Sequence, residues 1–375
     1  MNSAHFLGSF EMKTTGVVTL LAAAARAHAA YAPKVEVETR SLDEIYAAAQ
    51  QEEGPLQVFW GGDAGPQGDE VRTAWAQRFP NVKLNLTVDL SKYHDNRIDR
   101  GHLEGLQVAD IANLQTLQDF RRWKAEGKLL SYKPATFEDL LEGEKDADGA
   151  YLPTGISTFG NIVYDTTKLN ASSIPTSFAS FPEPQWRGKL ILTYPNDDDA
   201  VDYLFSLIVS RYGYQWLYDL AKNDVQWVRG TGTPGLQLTD LHNSSSTRAI
   251  SFTTYGSASF LATKSPEAPE QYMSWAQTGA ILKGTSRPES AKLFLGWLVS
   301  EERQGQGSET GATTLSNLNV ANGVDVYGSN ATQISGFRVF EQDRSGVEWS
   351  KNLFEEVLGT PQGKGPLEVY PNPAS

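Results

Sequence analysis

The chain has 375 residues, and its 40% hydrophobic and 11% aromatic content is enough for the cores of two domains. A formal net charge of −13 disfavours general binding of nucleic acid, because an acidic surface repels phosphate. The sequence contains no cysteine, which excludes disulfide scaffolds, thiolate metal sites, Fe–S clusters and cysteine nucleophiles.

The N-terminal residues have the pattern of a secretory signal peptide. The apolar run over residues 16–25 is too short to span a bilayer, which needs about 20 residues in a helix. Lys13 precedes this run, and Ala27-His28-Ala29 follows it as an A-x-A cleavage site. We therefore expect a signal peptide over residues 1–29 and a mature chain that is secreted, or periplasmic in a bacterium. A short N-terminal helix is the alternative.

Four N-x-[ST] sequons are candidate glycosylation sites, at Asn85, Asn170, Asn243 and Asn330. They favour a eukaryotic secretory route, and a bacterial periplasm stays open. A secreted chain without disulfides must be stabilised by its core, which a chain of this length can form.

The first elements in chain order are a predicted strand, a helix and a second strand. Leu56–Trp60 is an apolar strand, and Val82–Val88 alternates with a period of two. Between them a helix carries an apolar stripe, with Asp69 as its N-cap and Pro80 after its end. This order predicts a βαβ unit with a parallel sheet.

The middle of the chain repeats this pattern. Gly188–Tyr194 is a predicted strand, and it precedes an amphipathic helix over residues 201–208 that Asp199 can cap. The remaining predicted features are the strands Val225–Val228 and Ala249–Tyr255 and a helix-opening capping box at Ser286–Glu289. The sequence therefore predicts an α/β fold with two open, mostly parallel sheets, and residues 304–335 have no predicted element.

Motifs of catalytic sites are missing from the sequence. It has no G-x-S-x-G, H-E-x-x-H or P-loop motif, and no convincing G-x-G-x-x-G follows a strand. Three histidines follow the signal segment, His94, His102 and His242, and no spacing pairs one of them with a nucleophile. The sequence therefore favours a binding protein over an enzyme.

The first strand-to-helix turn carries candidate ligand-binding residues, Trp60, Gly61, Gly62 and Asp63. Ligands of open α/β sheets bind beyond the carboxyl ends of strands, where helix N-termini present free N–H groups. Glycine allows the backbone to approach a ligand closely, and Trp60 can stack on it. A tight turn with a core tryptophan is the alternative.

A second such turn, Pro195–Ala200, contains Asn196 and three successive aspartates, Asp197, Asp198 and Asp199. One carboxylate suffices to cap the following helix, and three repel one another. The surplus indicates a cationic or polyhydroxylated ligand, with Asn196, Asp197 and Asp198 as candidate contacts. A solvated acidic turn is the alternative.

Three other polar segments hold weaker candidates. Tyr93 and Arg97 follow a strand, where an exposed helix start is the alternative. Arg229 opens a loop whose glycines expose backbone amides. Tyr255 ends a strand and is predicted either to contact a ligand or to be a buried tyrosine with a satisfied hydroxyl.

The order of these features resembles the type II periplasmic solute-binding proteins, most closely the ferric-iron and thiamine branch that serves ABC importers. The sequons and the missing lipoprotein cysteine are more similar to secreted fungal members than to bacterial lipoproteins. The resemblance covers about residues 50–305, and the segments that carry it are Val58–Gly62, Gly127–Leu130, Gly160–Thr166, Trp186–Leu190, Gly279–Gly284 and Pro288–Phe294.

The resemblance implies two lobes that close on one ligand. Lobe 1 would comprise residues 30–155 and 275–375, and lobe 2 residues 156–274, with hinge crossings near residues 155–160 and 255–275. The two strand-to-helix turns would face each other across the cleft. The resemblance also implies a monomer without a cofactor that binds a small molecule and, if bacterial, an ABC importer.

The sequence departs from the iron-binding members, which use adjacent tyrosines with a histidine and a carboxylate. Here Thr254-Tyr255-Gly256 offers a single tyrosine. We therefore expect a small cationic or zwitterionic ligand, similar to thiamine or a polyamine, with Trp60 and Tyr255 favouring a cation. The alternatives are binding of ferric iron or a metal chelate, and a hydrolase on the same scaffold.

Overall fold

The structure, a computed structural model, describes residues 35–306 and 311–371. The predicted signal peptide and its cleavage site lie outside the described residues. The segment Val37–Ser375 forms one compact unit, and the fold below is that of its described part. In the described part, no helix has the length and apolar character needed to cross a membrane.

Helices and strands alternate along the first two thirds of the chain. The helices are α1 (Leu42–Ala49), α2 (Asp69–Arg78), α3 (Ser91–Glu104), α4 (Leu117–Ala125), α5 (Asp199–Tyr212), α6 (Tyr214–Ala221), α7 (Thr233–Asp240), α8 (Pro288–Leu298), α9 (Glu301–Gln304), α10 (Ser316–Ala321), α11 (Ile334–Gln342), α12 (Arg344–Leu358) and α13 (Pro366–Val369). The strands are β1 (Leu56–Gly61), β2 (Leu84–Asp89), β3 (Ile111–Leu114), β4 (Leu129–Leu130), β5 (Leu152–Phe159), β6 (Ile162–Asp165), β7 (Ile191–Thr193), β8 (Gln226–Val228), β9 (Ile250–Ser251), β10 (Leu261–Lys264) and β11 (Met273–Leu282).

The first sheet has the strand order β2-β1-β3-β11-β4, and β5 pairs with β11 beside this path. Strand β1 is parallel to both β2 and β3, so the predicted βαβ unit is confirmed. The long strand β11 is antiparallel to β3, β4 and β5, which makes the sheet mixed. Because β1 and β3 are parallel neighbours, their carboxyl ends meet at one edge.

A second set of strands lies between residues 162 and 264. Strands β10, β6 and β9 form an antiparallel sheet, and β7 pairs in parallel with β8. A bridge between Leu190 and Ile250 links the two. Strands β7 and β9 are shorter than predicted because side chains replace the ladder there: the Thr193 amide donates to Thr253 Oγ1. The α/β class is confirmed.

The two sets of strands are covered by separate apolar clusters. One cluster includes Trp75, Phe294 and Trp297 around the first sheet. The other includes Phe205 and Phe252, and it also takes in Phe337 and Phe354 from the C-terminal helices. Phe205 and Phe354 pack with ring centroids 5.9 Å apart. We therefore propose that residues 334–358 belong with lobe 2, in place of their assignment to lobe 1.

Helix boundaries differ from the predicted ones in their caps. Gly68, not Asp69, is the N-cap of α2, and Asp69 pairs with Arg72 at 2.5 Å instead. The predicted capping box before α8 is wrong, since the N-cap there is Arg287 and no side chain of the box makes the cap bond. A distant carboxylate replaces it, as the Glu289 and Ser290 amides donate to Glu52 at 2.8 and 2.9 Å. Residues 304–335, left without a prediction, contain α10.

Candidate functional site

A cavity of about 620 Å³ lies where the carboxyl ends of β1 and β3 face the segments that follow β7 and β8. Trp60 and Asn113 line it from the first sheet, and Asp198 and Thr231 line it from the second set of strands. Both sides are the places where open α/β sheets bind ligands. Strands β5 and β11, which run between the two halves, line its floor with Phe159 and Trp275.

The turn after β1 is fixed by close packing. A Cβ on Gly61 would lie 2.2 Å from Ser91 Oγ, so only glycine fits against α3. Gln67 Oε1 accepts from the amides of Asp63 and Ala64 at 2.6 and 2.8 Å. These contacts hold the Asp63 side chain at the end of the cavity.

Asp63 reaches across to the segment that follows β8. Its Oδ2 accepts from the amide and the hydroxyl of Thr231 and from the Gly232 amide, the last at 3.1 Å. The side chain is only 6% exposed, and burial raises its pKa although these hydrogen bonds and Lys92 oppose the rise. The contact joins the two halves of the cavity directly.

Asp198, on the opposite wall, is the N-cap of α5. Its Oδ1 accepts from the amides of Ala200 and Val201 at 2.9 and 3.2 Å, so the predicted capping role of Asp199 was wrong. Burial raises the pKa of Asp198 to about 7, and the neighbouring charge of Asp63 adds to the rise. The two carboxylates therefore share one corner of the cavity and oppose each other's ionisation.

The chain's own cations hold the other two aspartates of the turn. Asp197 accepts from Lys92 Nζ at 3.0 Å and from Arg229 at 3.1 Å. Asp199 pairs with Arg344 at 2.6 Å and with Lys351. Internal ion pairs therefore account for the charges of Asp197 and Asp199 without an external ligand, and contact of Asp197 with a ligand stays a prediction.

The acidic corner, defined by Asp63, Asp197, Asp198, Lys92 and Arg229, brings three carboxyl groups together with two cations. Burial raises the pKa of both Asp63 and Asp198, and the charge of Asp63 adds to the rise at Asp198. Lys92 bonds to Asp197 and lowers the pKa of both Asp63 and Asp198. A cation bound beside Asp63 and Asp198 would favour the ionised form of both carboxyls in the same way.

A second group of polar atoms lines the cavity along the β3–α4 connection. Asn113 Nδ2, Thr116 Oγ1 and Gln118 Oε1 are each buried and have no partner within the described protein. Asn113 is fully buried and Thr116 is 7% exposed. Such groups are costly to bury unless a ligand or water pairs with them.

Aromatic rings supply the apolar surface of the cavity, and they are Trp60, Phe159, Tyr255 and Trp275. Phe159 and Tyr255 pack with centroids 5.8 Å apart. Trp275 Nε1 donates to Gln277 Oε1 at 3.0 Å, which fixes both side chains at the cavity floor. Their faces suit flat apolar groups or a cation.

The structure brings some of the predicted site residues to the cavity and leaves others outside its lining. The residues in the lining are Trp60, Gly61, Gly62, Asp63, Asp198 and Tyr255. The five others make contacts within the protein: Arg229 bonds to Asp197 and to the Tyr93 hydroxyl, Arg97 pairs with Asp89 at 2.5 Å, and Asn196 Nδ2 donates to Gly359 O. Their role toward a ligand stays a prediction.

The sequence interpretation missed Asn113, Thr116 and Lys92. The signal for Asn113 and Thr116 was the short segment Ile111–Leu114, which forms a buried strand. Four residues are too few to predict a strand from the sequence, and its pairing with β1 identifies it. Once that strand is recognised, Thr116 falls at its carboxyl end, where ligands bind. Nothing local signals Lys92, because its partner Asp197 is 105 residues away.

Two of the three described histidines, His94 and His242, make contacts within the protein core. His94 stacks on Phe59, and burial lowers its pKa to about 4. His242 bonds to Asp165 at 2.8 Å. Within residues 35–306 and 311–371, no three His, Cys, Asp or Glu side chains converge in a way that could hold a metal ion.

All four sequon asparagines, Asn85, Asn170, Asn243 and Asn330, are exposed. Each is therefore accessible to an oligosaccharide, and glycosylation at these positions stays a prediction.

Comparison with solved structures shows the fold. A substrate-binding protein of an ABC transporter from Agrobacterium tumefaciens superposes with a TM-score of 0.65 at 13% identity, covering 82% of this chain and 95% of that chain. Iron-bound HitA from Pseudomonas aeruginosa superposes with a TM-score of 0.54 at 12% identity, covering 80% of this chain and 99% of that chain. PotD, a spermidine/putrescine ABC transporter substrate-binding protein from Streptococcus pneumoniae, superposes with a TM-score of 0.52 at 14% identity, covering 80% of this chain and 99% of that chain.

Comparison with sequences shows the family. No curated protein matches the chain. The family profile described as bacterial extracellular solute-binding protein matches residues 107–305, which is more than half of the chain. The chain therefore belongs to the bacterial extracellular solute-binding proteins, and it has the fold of their type II periplasmic members.

Proposed function

We propose that this protein clamps a small, singly charged organic cation between two lobes. Lobe 1 contains the first sheet, and lobe 2 contains residues 156–274 together with the C-terminal helices α11 and α12. The observation that carries the proposal is the pair Asp63 and Asp198, one from each proposed lobe, two buried carboxyl groups that oppose each other's ionisation in the absence of a cation. A bound ammonium group would satisfy both carboxylates and hold the lobes together.

The pairing of the arginines favours a cation over a zwitterion. Arg97 is neutralised by Asp89, and Arg229 is neutralised by Asp197. The cations that line the cavity are also in ion pairs: Lys92 with Asp197, Arg303 with Glu70, and both Arg344 and Lys351 with Asp199. A ligand carboxylate would therefore compete with a carboxylate of the protein for each of them.

The setting of the protein follows from its family. Its members are extracellular, which supports a secreted or periplasmic mature chain, and they deliver small molecules to ABC importers. We propose that the chain acts as a monomer with an importer as its partner in a bacterium. The exposed sequons support glycosylation in a eukaryotic host.

Thermal unfolding of the purified chain against a panel of ligands tests this function. The panel contains monoamines, polyamines, amino acids, neutral sugars and ferric iron. A ligand at 100 times its Kd adds about 2.7 kcal/mol to the free energy of unfolding, so the melting temperature should rise by a few degrees with a monoamine.

The same panel separates the alternatives. Stabilisation by ferric iron alone, with a coloured phenolate complex at Tyr255, would favour the iron-binding alternative. Stabilisation by amino acids but not monoamines would favour a zwitterion. Turnover of a panel compound, abolished by one substitution in the cavity, would indicate a hydrolase.

A further inference from the structure

Three buried polar atoms on the β3–α4 connection differ in hydrogen-bonding character. Asn113 Nδ2 can only donate, Gln118 Oε1 can only accept, and Thr116 Oγ1 can do both. All three residues line the cavity. A ligand carboxylate can only accept, so it cannot satisfy this set. A hydroxyl group both donates and accepts, so adjacent hydroxyl groups can satisfy all three.

Neighbouring side chains hold Asn113 in the wall of the cavity. Its Oδ1 accepts from Thr154 Oγ1 at 2.6 Å, and its backbone carbonyl accepts from Gln277 Nε2 at 3.3 Å. Gln277 is held in turn by Trp275 Nε1 at 3.0 Å. Thr154 Oγ1 is also 3.1 Å from the carbonyl oxygen of Gln277, a second acceptor for its proton. With the Asn113 amide placed as the structure has it, Nδ2 is the atom left for a ligand.

Thr116 is available because the fold does not use its hydroxyl. It occupies the N-cap position of α4, yet its side chain makes no cap bond. The Leu117 amide at this end donates instead to Glu341 Oε2 at 2.8 Å. Thr116 is 7% exposed and lies in the wall of the cavity, and its buried hydroxyl is left without a partner in the described protein.

These groups line the same cavity as the acidic corner, and the rings of Trp60 and Trp275 line it too. This combination of a carboxylate pair, aromatic faces and mixed amide and hydroxyl groups matches a molecule with an ammonium group, a compact carbon skeleton and several hydroxyls.

We infer that the ligand is a hydroxylated monoamine of the amino-sugar class. Its ammonium group binds at Asp63 and Asp198, and its hydroxyls bind Asn113, Thr116 and Gln118. This inference rests on the proposed function and specifies its ligand. It assigns recognition of the uncharged part of the ligand to the β3–α4 connection.

Isothermal titration with three matched probes at about pH 6.5 tests the inference. Glucosamine has the amine and the hydroxyls, cyclohexylamine has the amine on a six-membered ring without hydroxyls, and glucose has the hydroxyls without the charge. Glucosamine should bind at least about tenfold more tightly than either of the others, because each lacks one set of hydrogen bonds.

The variant Thr116→Val supplies an independent measurement. It keeps the shape of the side chain and removes an unused hydroxyl, so the melting temperature should stay within error. Glucosamine affinity should fall roughly three- to tenfold, and cyclohexylamine affinity should not change. Thr263→Val on the exposed face of β10, outside the cavity lining, is the matched control and should alter neither affinity.

The outcomes separate the inference from the proposed function. Equal binding of cyclohexylamine and glucosamine, or unchanged glucosamine affinity in Thr116→Val, would overturn the hydroxylated class while a cation-binding function stands. If glucose binds as tightly as glucosamine, the acidic corner does not contribute to binding, and both the inference and the proposed cation-binding function are overturned. Binding of none of the three probes would also overturn both.

Discussion

Asp198 combines two roles that single substitutions can separate. Its carboxylate caps α5, and it shares the acidic corner with Asp63. Asparagine is as good an N-cap as aspartate, whereas alanine cannot cap. We expect Asp198→Asn to keep the free energy of unfolding within error and Asp198→Ala to lower it by about 1 kcal/mol, measured by urea unfolding.

Both variants should bind glucosamine at least about tenfold more weakly, because each removes a carboxylate from the ammonium site. Titration of the two proteins measures this loss. Wild-type affinity in Asp198→Asn would mean that the aspartate serves the helix alone.

The buried carboxyls predict the pH dependence of stability. Burial raises the pKa of Asp198 to about 7 and that of Asp202 to about 8, and in the unfolded chain both lie near 3.8. At a pH between the unfolded and the folded pKa of each carboxyl, the native state binds more protons than the unfolded state, so stability falls as pH rises. His94 has the opposite effect on stability, because burial lowers its pKa from 6.5 to about 4. This effect is confined to pH values below about 6.5, where the unfolded chain binds the extra proton.

We therefore expect the melting temperature to fall between about pH 6.5 and 8 and to fall less in Asp202→Asn. Thermal unfolding in a series of buffers measures both slopes. A melting temperature that rises over this range would contradict the buried, protonated state of these carboxyls.

At the residue scale, the sequence predicted which residues follow a strand and line the cavity, but it did not predict which charged side chains form ion pairs. Trp60, Gly61 and Asp63 could be predicted as cavity residues, because their position after an apolar strand is a local property. The ion pairs of Asp197 and Asp199 could not, since Lys92, Arg229, Arg344 and Lys351 are distant in sequence. Three successive aspartates indicate that cations must lie nearby in the fold, but the local sequence does not identify those cations.

At the scale of elements, α8 depends on a cap from another part of the chain. Glu52, at the end of the turn after α1, accepts from two N-terminal amides of α8 and lies at the positive end of its dipole. We expect Glu52→Ala to lower the free energy of unfolding by about 1 kcal/mol, measured in urea. The neighbouring Glu53→Ala is the matched control, because only the Glu53 backbone carbonyl bonds to Arg287. Equal effects of the two variants would contradict the cap.

Element prediction worked where periodicity is long and failed where strands are short. Helices α2, α5 and α8 show apolar stripes, and the structure confirms them. The two-residue strand β4 gains its identity from β11, so no local pattern reveals it, and β9 covers only two residues of the predicted strand Ala249–Tyr255. The cap of α5 was mispredicted because an N-cap residue needs an extended backbone, and that backbone belongs to Asp198 and not to its neighbour Asp199.

At the scale of the whole molecule, side chains bridge the two proposed lobes at the acidic corner. Asp63 bonds to Thr231 and Gly232, and Lys92 bonds to Asp197. Lys92→Met would leave the corner with three carboxylates and one cation, so repulsion should open the cleft. We expect a larger radius of gyration in small-angle X-ray scattering without added ligand.

Lys222→Met removes the same charge from an exposed helical ion pair and is the control for this measurement. It should leave the scattering curve unchanged. Identical curves for Lys92→Met and the wild type would show that the bridge does not hold the lobes.

The overall α/β class and the two-sided site could be predicted because ligands of open sheets follow the carboxyl ends of parallel strands. The division of the chain into lobes was harder to predict. Phe337 packs on Tyr203 and Phe354 on Phe205, residues far earlier in the sequence, and only the folded chain brings these rings together. The polarity of the cavity was hardest, since it depends on which charges are already paired.

A crystal structure of the chain with glucosamine tests the central claim most directly. We predict the ammonium nitrogen within hydrogen-bonding distance of a carboxylate oxygen of Asp63 or Asp198, with ring hydroxyls bonded to Asn113 and Thr116. An amine pointing to any other part of the cleft, or a cleft that stays empty at saturating glucosamine, would contradict it.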